Sequence, residues 1–410
     1  MPRGRSEIRL LIYSHDSFGL GHLKRCRAIA HSLVEHRQDV SVLILSGSPI
    51  IGSFDFRSRV DFVRIPGVIK LRNGGYTPLG LDIGVEEAVA IRESIIRTTA
   101  DVFAPDIILV DKEPLGLRGE AKSTLEMLKK RGTQLVLGLR DVMDSPEALA
   151  EEWRRKNAVS VLSDLYDHIW VYGLESICEP LKGIDVPPTV YDKLSYTGYL
   201  RRTSNPVHPT HDIDADHLRE PYILVTPGGG GDGAGLVDWV LRAYEHDPGL
   251  PVSAFIVFGP FMHIDLQNEF KQRVDMLPRV HATTFDTHLE SLVSNAIGVI
   301  GMGGYNTFCE ILSFDKPSLI VPRTVPRLEQ YIRASRAEEL GLVTMLVDDG
   351  ERDPIRMAAA ITNLPTKQKP SEVHIPGLLD GLSSINGAID QWFNYPRPVR
   401  TPLTVVGQES

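Results

Sequence analysis

Cysteine is scarce in this sequence: Cys26, Cys178 and Cys309 are the three in 410 residues, and they lie far apart. No Cys-x-x-Cys pair exists, which excludes the common structural zinc sites, and the odd count argues against a disulfide framework. A reducing cytoplasm is the compartment that such usage implies. Long apolar runs are also missing. Nothing approaches the roughly 20 residues of a membrane-spanning helix, and the basic N-terminus leads only to the short apolar run 10–13, unlike a signal peptide. Low-complexity tracts are absent. Positive charge is not in excess either: 44 basic against 53 acidic residues leave a net charge of −9. Nucleic acid is therefore not an expected partner, because phosphate binding normally needs a basic face.

What is present fits a globular protein, 42% hydrophobic and 24% charged. The length fits two domains. Short apolar runs at 9–13, 40–45, 61–65, 107–110, 135–138 and 169–171 read as buried strands. Amphipathic stretches lie between them. In the stretch 23–35, Cys26, Ile29, Ala30 and Leu33 share one helical face. A Pro-rich, aperiodic stretch near 180–220 interrupts the pattern, with 194–200 as a strand leading into it. Alternation resumes with strands at 222–226, 254–258, 297–300, 318–321 and 343–347, and helices at 235–244 and 328–340. The expected fold is α/β, with two doubly wound parallel-sheet domains facing across a cleft. The expected division is 1–195, a linker 196–219, a second domain 220–380, and a terminal helix and tail 381–410.

Residues just past strand ends are the site candidates in such a fold. Gly19-Leu-Gly21-His22 follows the first strand and opens a helix, where His22 is positioned as a general base or as a polar cap. Gly228-Gly229-Gly230-Gly231-Asp232-Gly233 follows the first strand of the second half. Its glycines suit a backbone wrapped around a phosphate, or a surface loop, and no Walker lysine follows. Gly301-Met-Gly303-Gly304-Tyr-Asn306-Thr307-Phe-Cys-Glu310 pairs a glycine turn with a helix N-terminus, an anion site for a diphosphate. Glu310 is placed to accept from a ribose diol, although alone it also reads as a solvated helix carboxylate. After the next strand, Arg323 or Arg327 could neutralise phosphate and Gln330 could bind a sugar hydroxyl, or the segment is an ordinary proline-ordered loop capping a helix. In the first half Asp111-Lys112 and Arg140-Asp141 each sit past a strand, as acid–base or acceptor-side candidates or as ordinary surface pairs. The acidic run Asp212-Ile-Asp214-Ala-Asp216 lies in the expected linker and reads as solvated charge, so no metal site is expected.

Taken together, 301–340, with Asn306-Thr307, Glu310, Lys316-Pro317, Val321-Pro322 and Glu329-Gln330, resembles the donor-side signature of family 28-like GT-B glycosyltransferases, which include the peptidoglycan N-acetylglucosaminyltransferase. The two other glycine-rich turns resemble that family's remaining elements in the same order. Asp111-Lys112 and Leu139-Arg140-Asp141 look like segments of a bacterial group of uncharacterised proteins of this kind. The flank Gly21-His22-Leu23-Lys24-Arg25 is more similar to the nucleotide-sugar hydrolase of pseudaminic acid biosynthesis. The resemblance implies a GT-B fold and inverting, metal-independent hexosyl transfer from a UDP-linked sugar, without a cofactor. Donor-side residues would be Gly229, Gly230, Gly231, Asp232, Gly303, Gly304, Asn306, Thr307, Glu310, Arg323, Glu329 and Gln330. His22 or Asp111 would be the base, with Gly19, Gly21, Lys112, Arg140 and Asp141 on the acceptor side. The acceptor would be a glycan, lipid or small molecule, in cell-envelope or exopolysaccharide synthesis, with the protein cytoplasmic and at most peripheral at the inner membrane face. A hydrolase or epimerase using the same cleft, or a non-catalytic nucleotide-sugar binder, are the alternatives.

Overall fold

The computed structural model describes residues 7–15, 21–70, 75–204, 220–286 and 288–394. Gly19 and the acidic run 212–216 lie outside the described residues. The first domain carries β1 (Ile8–Ser14), β2 (Val40–Ser46), β3 (Val60–Arg64), β6 (Ile107–Asp111), β7 (Gln134–Arg140), β8 (His168–Tyr172) and β9 (Leu194–Tyr196), with a small antiparallel hairpin of β4 (Val68–Lys70) and β5 (Tyr76–Pro78) beside the sheet. The second carries β10 (Tyr222–Thr226), β11 (Ser253–Val257), β12 (Val280–Thr283), β13 (Gly298–Gly301), β14 (Ser318–Ile320) and β15 (Thr344–Met345).

Both sheets are parallel throughout, in the orders β3-β2-β1-β6-β7-β8-β9 and β12-β11-β10-β13-β14-β15. Each domain's first strand lies inside its sheet, and the order reverses beside it, between β1 and β6 and between β10 and β13. That crevice is where open α/β sheets bind ligands. The doubly wound pair of domains is the GT-B fold.

Strands buried on both faces must be continuously apolar, and β10 and β11 are buried at every residue. The helix Gly21–His36 buries Cys26, Ile29, Ala30 and Leu33 completely, the face that its periodicity marks. The structure departs from expectation where this logic weakens. β12 is an edge strand, Val-His-Ala-Thr, buried fully only at Val280, so it has no apolar run to mark it. The stretch expected to be irregular holds the short helix Pro188–Tyr191, and the strand expected at 194–200 is present as the shorter β9. β9 stops before Gly198, whose φ of +88° suits glycine and whose missing Cβ would stand 2.4 Å from the Gly377 carbonyl oxygen.

The terminal helix Gly381–Asn394 returns to the first domain. Arg37 Nη1 donates to Asp390 at 2.6 Å and Asn386 Nδ2 to Ser32 Oγ at 3.0 Å, while Trp392 stacks on Trp170 with centroids 5.7 Å apart. Ile385 and Ile389 are 1% exposed, which contributes roughly 1.5–3 kcal/mol each. The chain thus crosses between domains twice.

Candidate active site

The first half of the site grows from β1 and β6. The helix after β1 begins at Gly21, which puts His22 in its first turn and Arg25 on the same face one turn later. His22 Nδ1 lies 2.5 Å from Asp111 Oδ2, at the end of β6. Arg25 grips the same carboxylate with Nε to Oδ1 at 3.2 Å and Nη2 to Oδ2 at 2.7 Å. Asp111 is 1% exposed. Burial by itself would raise its pKa, but the Arg25 charge and the hydrogen bonds from His22 and Arg25 outweigh that and hold it well below the usual carboxylate range. A carboxylate this close to Nδ1 assigns the proton there, so Nε2 carries the lone pair. His15, at the end of β1, packs edge-on to His22 with centroids 5.6 Å apart. Burial, helped by the cations nearby, lowers His15 to about 3 and keeps it neutral.

The second half grows from β10 and β13. After β13 the chain turns through Gly303, with φ +72°, into the helix Tyr305–Ser313. Glu310, in its second turn, is 1% exposed. Its Oε1 accepts from Lys24 Nζ of the first domain at 3.0 Å, and its Oε2 is buried without a hydrogen-bond partner among the described residues. Burial, the largest effect, raises its pKa. In the loop after β10, Gly230 has φ +90°, and a Cβ there would sit 2.4 Å from the Phe258 carbonyl oxygen. Gly228 and Gly229 reach a cavity of about 190 Å³ between the domains. Gly21, Lys24 and Arg25 line it from one side, Thr307, Glu310 and Gln330 from the other.

Several expected site residues are tied to protein partners. Asp141, expected on the acceptor side, is fully buried in an interdomain pair with Arg333, Nε to Oδ2 at 2.8 Å and Nη2 to Oδ1 at 2.6 Å, and Tyr199 Oη also donates to it at 2.9 Å. Glu329 accepts from Arg140 at 2.5 Å and from Arg323 at 3.1 Å, so both oxygens serve arginines. Arg323 also pairs with Asp232, and its backbone N–H donates to Gln330 Oε1 at 3.1 Å. Asn306 bridges the domains, donating to the Gly21 carbonyl at 3.1 Å and accepting from Arg202 at 2.8 Å. Lys112 stands beside Glu113 at 3.6 Å, and burial pushes it down to about 8.

Sequence reasoning missed His15, Lys24, Arg25, Arg202 and Arg333 as members of this network. Spacing offered a signal for two of them, since His22 and Arg25 are three apart and Glu329 and Arg333 four apart on their helices. Among the described residues, no group of three or more His, Cys, Asp or Glu could hold a metal ion, and no helix is long and apolar enough to cross a membrane.

Comparison with known proteins agrees with this architecture. Residues 229–374 match the model of the glycosyltransferase family 28 C-terminal domain. An uncharacterised glycosyltransferase of the archaeon Methanosarcina mazei is 24% identical over 345 residues, covering 80% of this chain and 83% of that protein. Among solved structures, the calicheamicin glycosyltransferase superposes with a TM-score of 0.59 at 15% identity, covering 96% of this chain and 100% of the other. MurG from Acinetobacter baumannii gives 0.55 at 12%, covering 94% and 99%. UDP-GlcNAc 2-epimerase from Neisseria meningitidis, solved with UDP-GlcNAc, gives 0.56 at 12%, covering 94% and 100%. The structural likenesses bear on the fold. With the domain match they define the class: a GT-B enzyme of the glycosyltransferase type.

Proposed function

We propose that the protein transfers a hexosyl group from a UDP-linked sugar to an acceptor hydroxyl, with inversion and without a bound metal. One observation carries the reading: Arg25, which grips the Asp111 carboxylate beside His22, and the buried, half-satisfied Glu310 line one interdomain cavity. Glu310 Oε2 is the acceptor that a ribose diol would satisfy, since a buried carboxylate oxygen left unpaired costs about 1–3 kcal/mol or more. The start of the helix Tyr305–Ser313 and the Gly228–Gly229 turn line the same space, and the free N–H groups of a helix start suit a leaving diphosphate.

The acceptor belongs on the other side of His22. A second cavity of about 300 Å³ is lined by His15, Tyr76, Glu113, Leu115, Leu117 and Lys156. His15 ties that cavity to the His22 ring. In the proposed reaction His22 Nε2 takes the acceptor proton as the acceptor oxygen bonds to the anomeric carbon and the carbon–oxygen bond to the diphosphate breaks. Asp111 fixes the tautomer and stabilises the imidazolium that forms. A general base of this kind contributes about 10²–10⁴-fold, and preorganised donors at the diphosphate supply a comparable share.

Incubation with a panel of UDP-, dTDP- and GDP-sugars, with and without glycan and small-alcohol acceptors, tests this. Acceptor-dependent release of UDP is expected, and chelator leaves it unchanged. Stoichiometric release of free sugar without acceptor would replace transfer with hydrolysis. Interconversion of free donors would point to epimerisation.

A further inference from the structure

Behind the donor cavity, and separated from it by Lys24, lies another cavity of about 150 Å³. Lys24 lines both. The walls of the second come from the helix Gly21–His36, residues 201–203 between the domains, the start of the helix Leu289–Asn295 and the terminal helix. Its cationic side chains are Lys24, Arg27, Arg57, Arg201 and Arg202, against the carboxylates Glu35 and Glu290. Lys24 meets Glu290 at 3.7 Å and Arg57 pairs with Glu35, leaving Arg27, Arg201 and Arg202 in excess among the described residues.

The remaining arginines are poorly compensated. Arg27 donates to a neutral carbonyl, Asp55 O, at 2.9 Å and lies over the Phe54 ring. Arg202 is 7% exposed and donates to the neutral Asn306 amide oxygen at 2.8 Å, and its Nε is buried without a hydrogen-bond partner among the described residues. Burial and the surrounding cations, Arg202 and Arg57 among them, lower the Arg27 pKa. His31, on the same wall, is held to about 3 by burial first and then by Arg27 and Arg57, so it adds no charge. Clustering guanidinium groups in a concave, half-buried space is costly unless an anion enters it. Planar guanidinium donors suit a tetrahedral oxyanion.

We infer that this cavity is an anion site of the phosphate class, distinct from the donor diphosphate site and coupled to it through Lys24. Lys24 Nζ sits between Glu310 on one side and Glu290 on the other. An oxyanion among the arginines draws Lys24 toward itself and releases Glu310 Oε1 for the ribose. The coupling, though not the site, rests on the donor reading above. Binding in the two cavities is then reciprocal.

Calorimetric titration of the full-length protein with inorganic phosphate, at ionic strength held constant with chloride, tests the site. One phosphate is expected to bind, with or without saturating UDP, and to tighten UDP by about 5-fold, the low end for coupled sites. Arg201→Gln, at an exposed position, and Arg27→Gln are each expected to weaken phosphate about tenfold while UDP affinity without phosphate stays unchanged. Glucose 6-phosphate in place of phosphate separates the sources: tighter binding assigns the site to a phosphorylated metabolite, equal binding to free phosphate. Phosphate binding that survives both substitutions, or that UDP abolishes, overturns the site. Phosphate binding with no UDP binding at all would uphold the site and sink the donor reading instead.

Discussion

Asp111 and Asp141 end or follow neighbouring strands, β6 and β7. Both are at most 1% exposed, and each is gripped by two nitrogens of one arginine. Their third partners separate them. Asp111 holds a histidine at the mouth of a helix, whereas Asp141 takes the Tyr199 hydroxyl and sits in a pair with the other domain's Arg333. The same device therefore serves two ends. At Asp111 it orients the histidine that the proposed reaction uses as base, and at Asp141 it joins two domains. Position after a strand marks where an aspartate can act, and what it grips decides whether it does.

Substitutions break this comparison in graded ways. Asp111→Asn should have the largest effect, lowering turnover by about 10²–10⁴-fold through loss of the oriented base. The fall should appear in kcat in steady-state assays, with UDP affinity little changed. Asp141→Ala should destabilise the protein by roughly 3–5 kcal/mol, since Arg333 is left buried without its carboxylate. Urea unfolding measures this, and the folded fraction should retain most of its turnover. Glu310→Gln should weaken UDP by about tenfold, the low end for a hydrogen bond to a charged group, as read by calorimetry.

The smallest effect is on the pH dependence of stability. His15 is neutral when folded, with its pKa lowered to about 3, but takes up a proton near 6.5 when unfolded. The unfolded chain therefore binds more protons between those values, and stability contributed by neutral His15 is complete above about 6.5 and lost as pH falls toward 3. His15→Gln should flatten that slope in urea unfolding series. An unchanged slope would mean that His15 does not stay neutral in the fold.

Much of the frame was legible because parallel strands covered on both faces must be apolar, as β10 and β11 are. The edge strand β12 escaped because partial exposure frees its composition, and the three-residue hairpin strands are too short to show a period. For the site, the glycine turns located both crevices. Gly230 and Gly303 sit in left-handed conformations that a side chain would resist. Pairing across the cleft was not legible. Lys24 and Glu310 are 286 residues apart, and Arg333 and Asp141 are 192 apart, so only the packing of two domains brings them together. For that reason the arginine partners of Asp141 and Glu329 could not be read from the sequence.

The claim that one wall of the cleft does chemistry and the other holds nucleotide is tested most directly on His22→Ala. Turnover and UDP dissociation constant should be measured side by side on the same preparation. The account predicts turnover lower by about 10²-fold or more, with UDP affinity and unfolding midpoint nearly those of the unaltered protein. Turnover near normal, or a loss confined to UDP affinity, would contradict it.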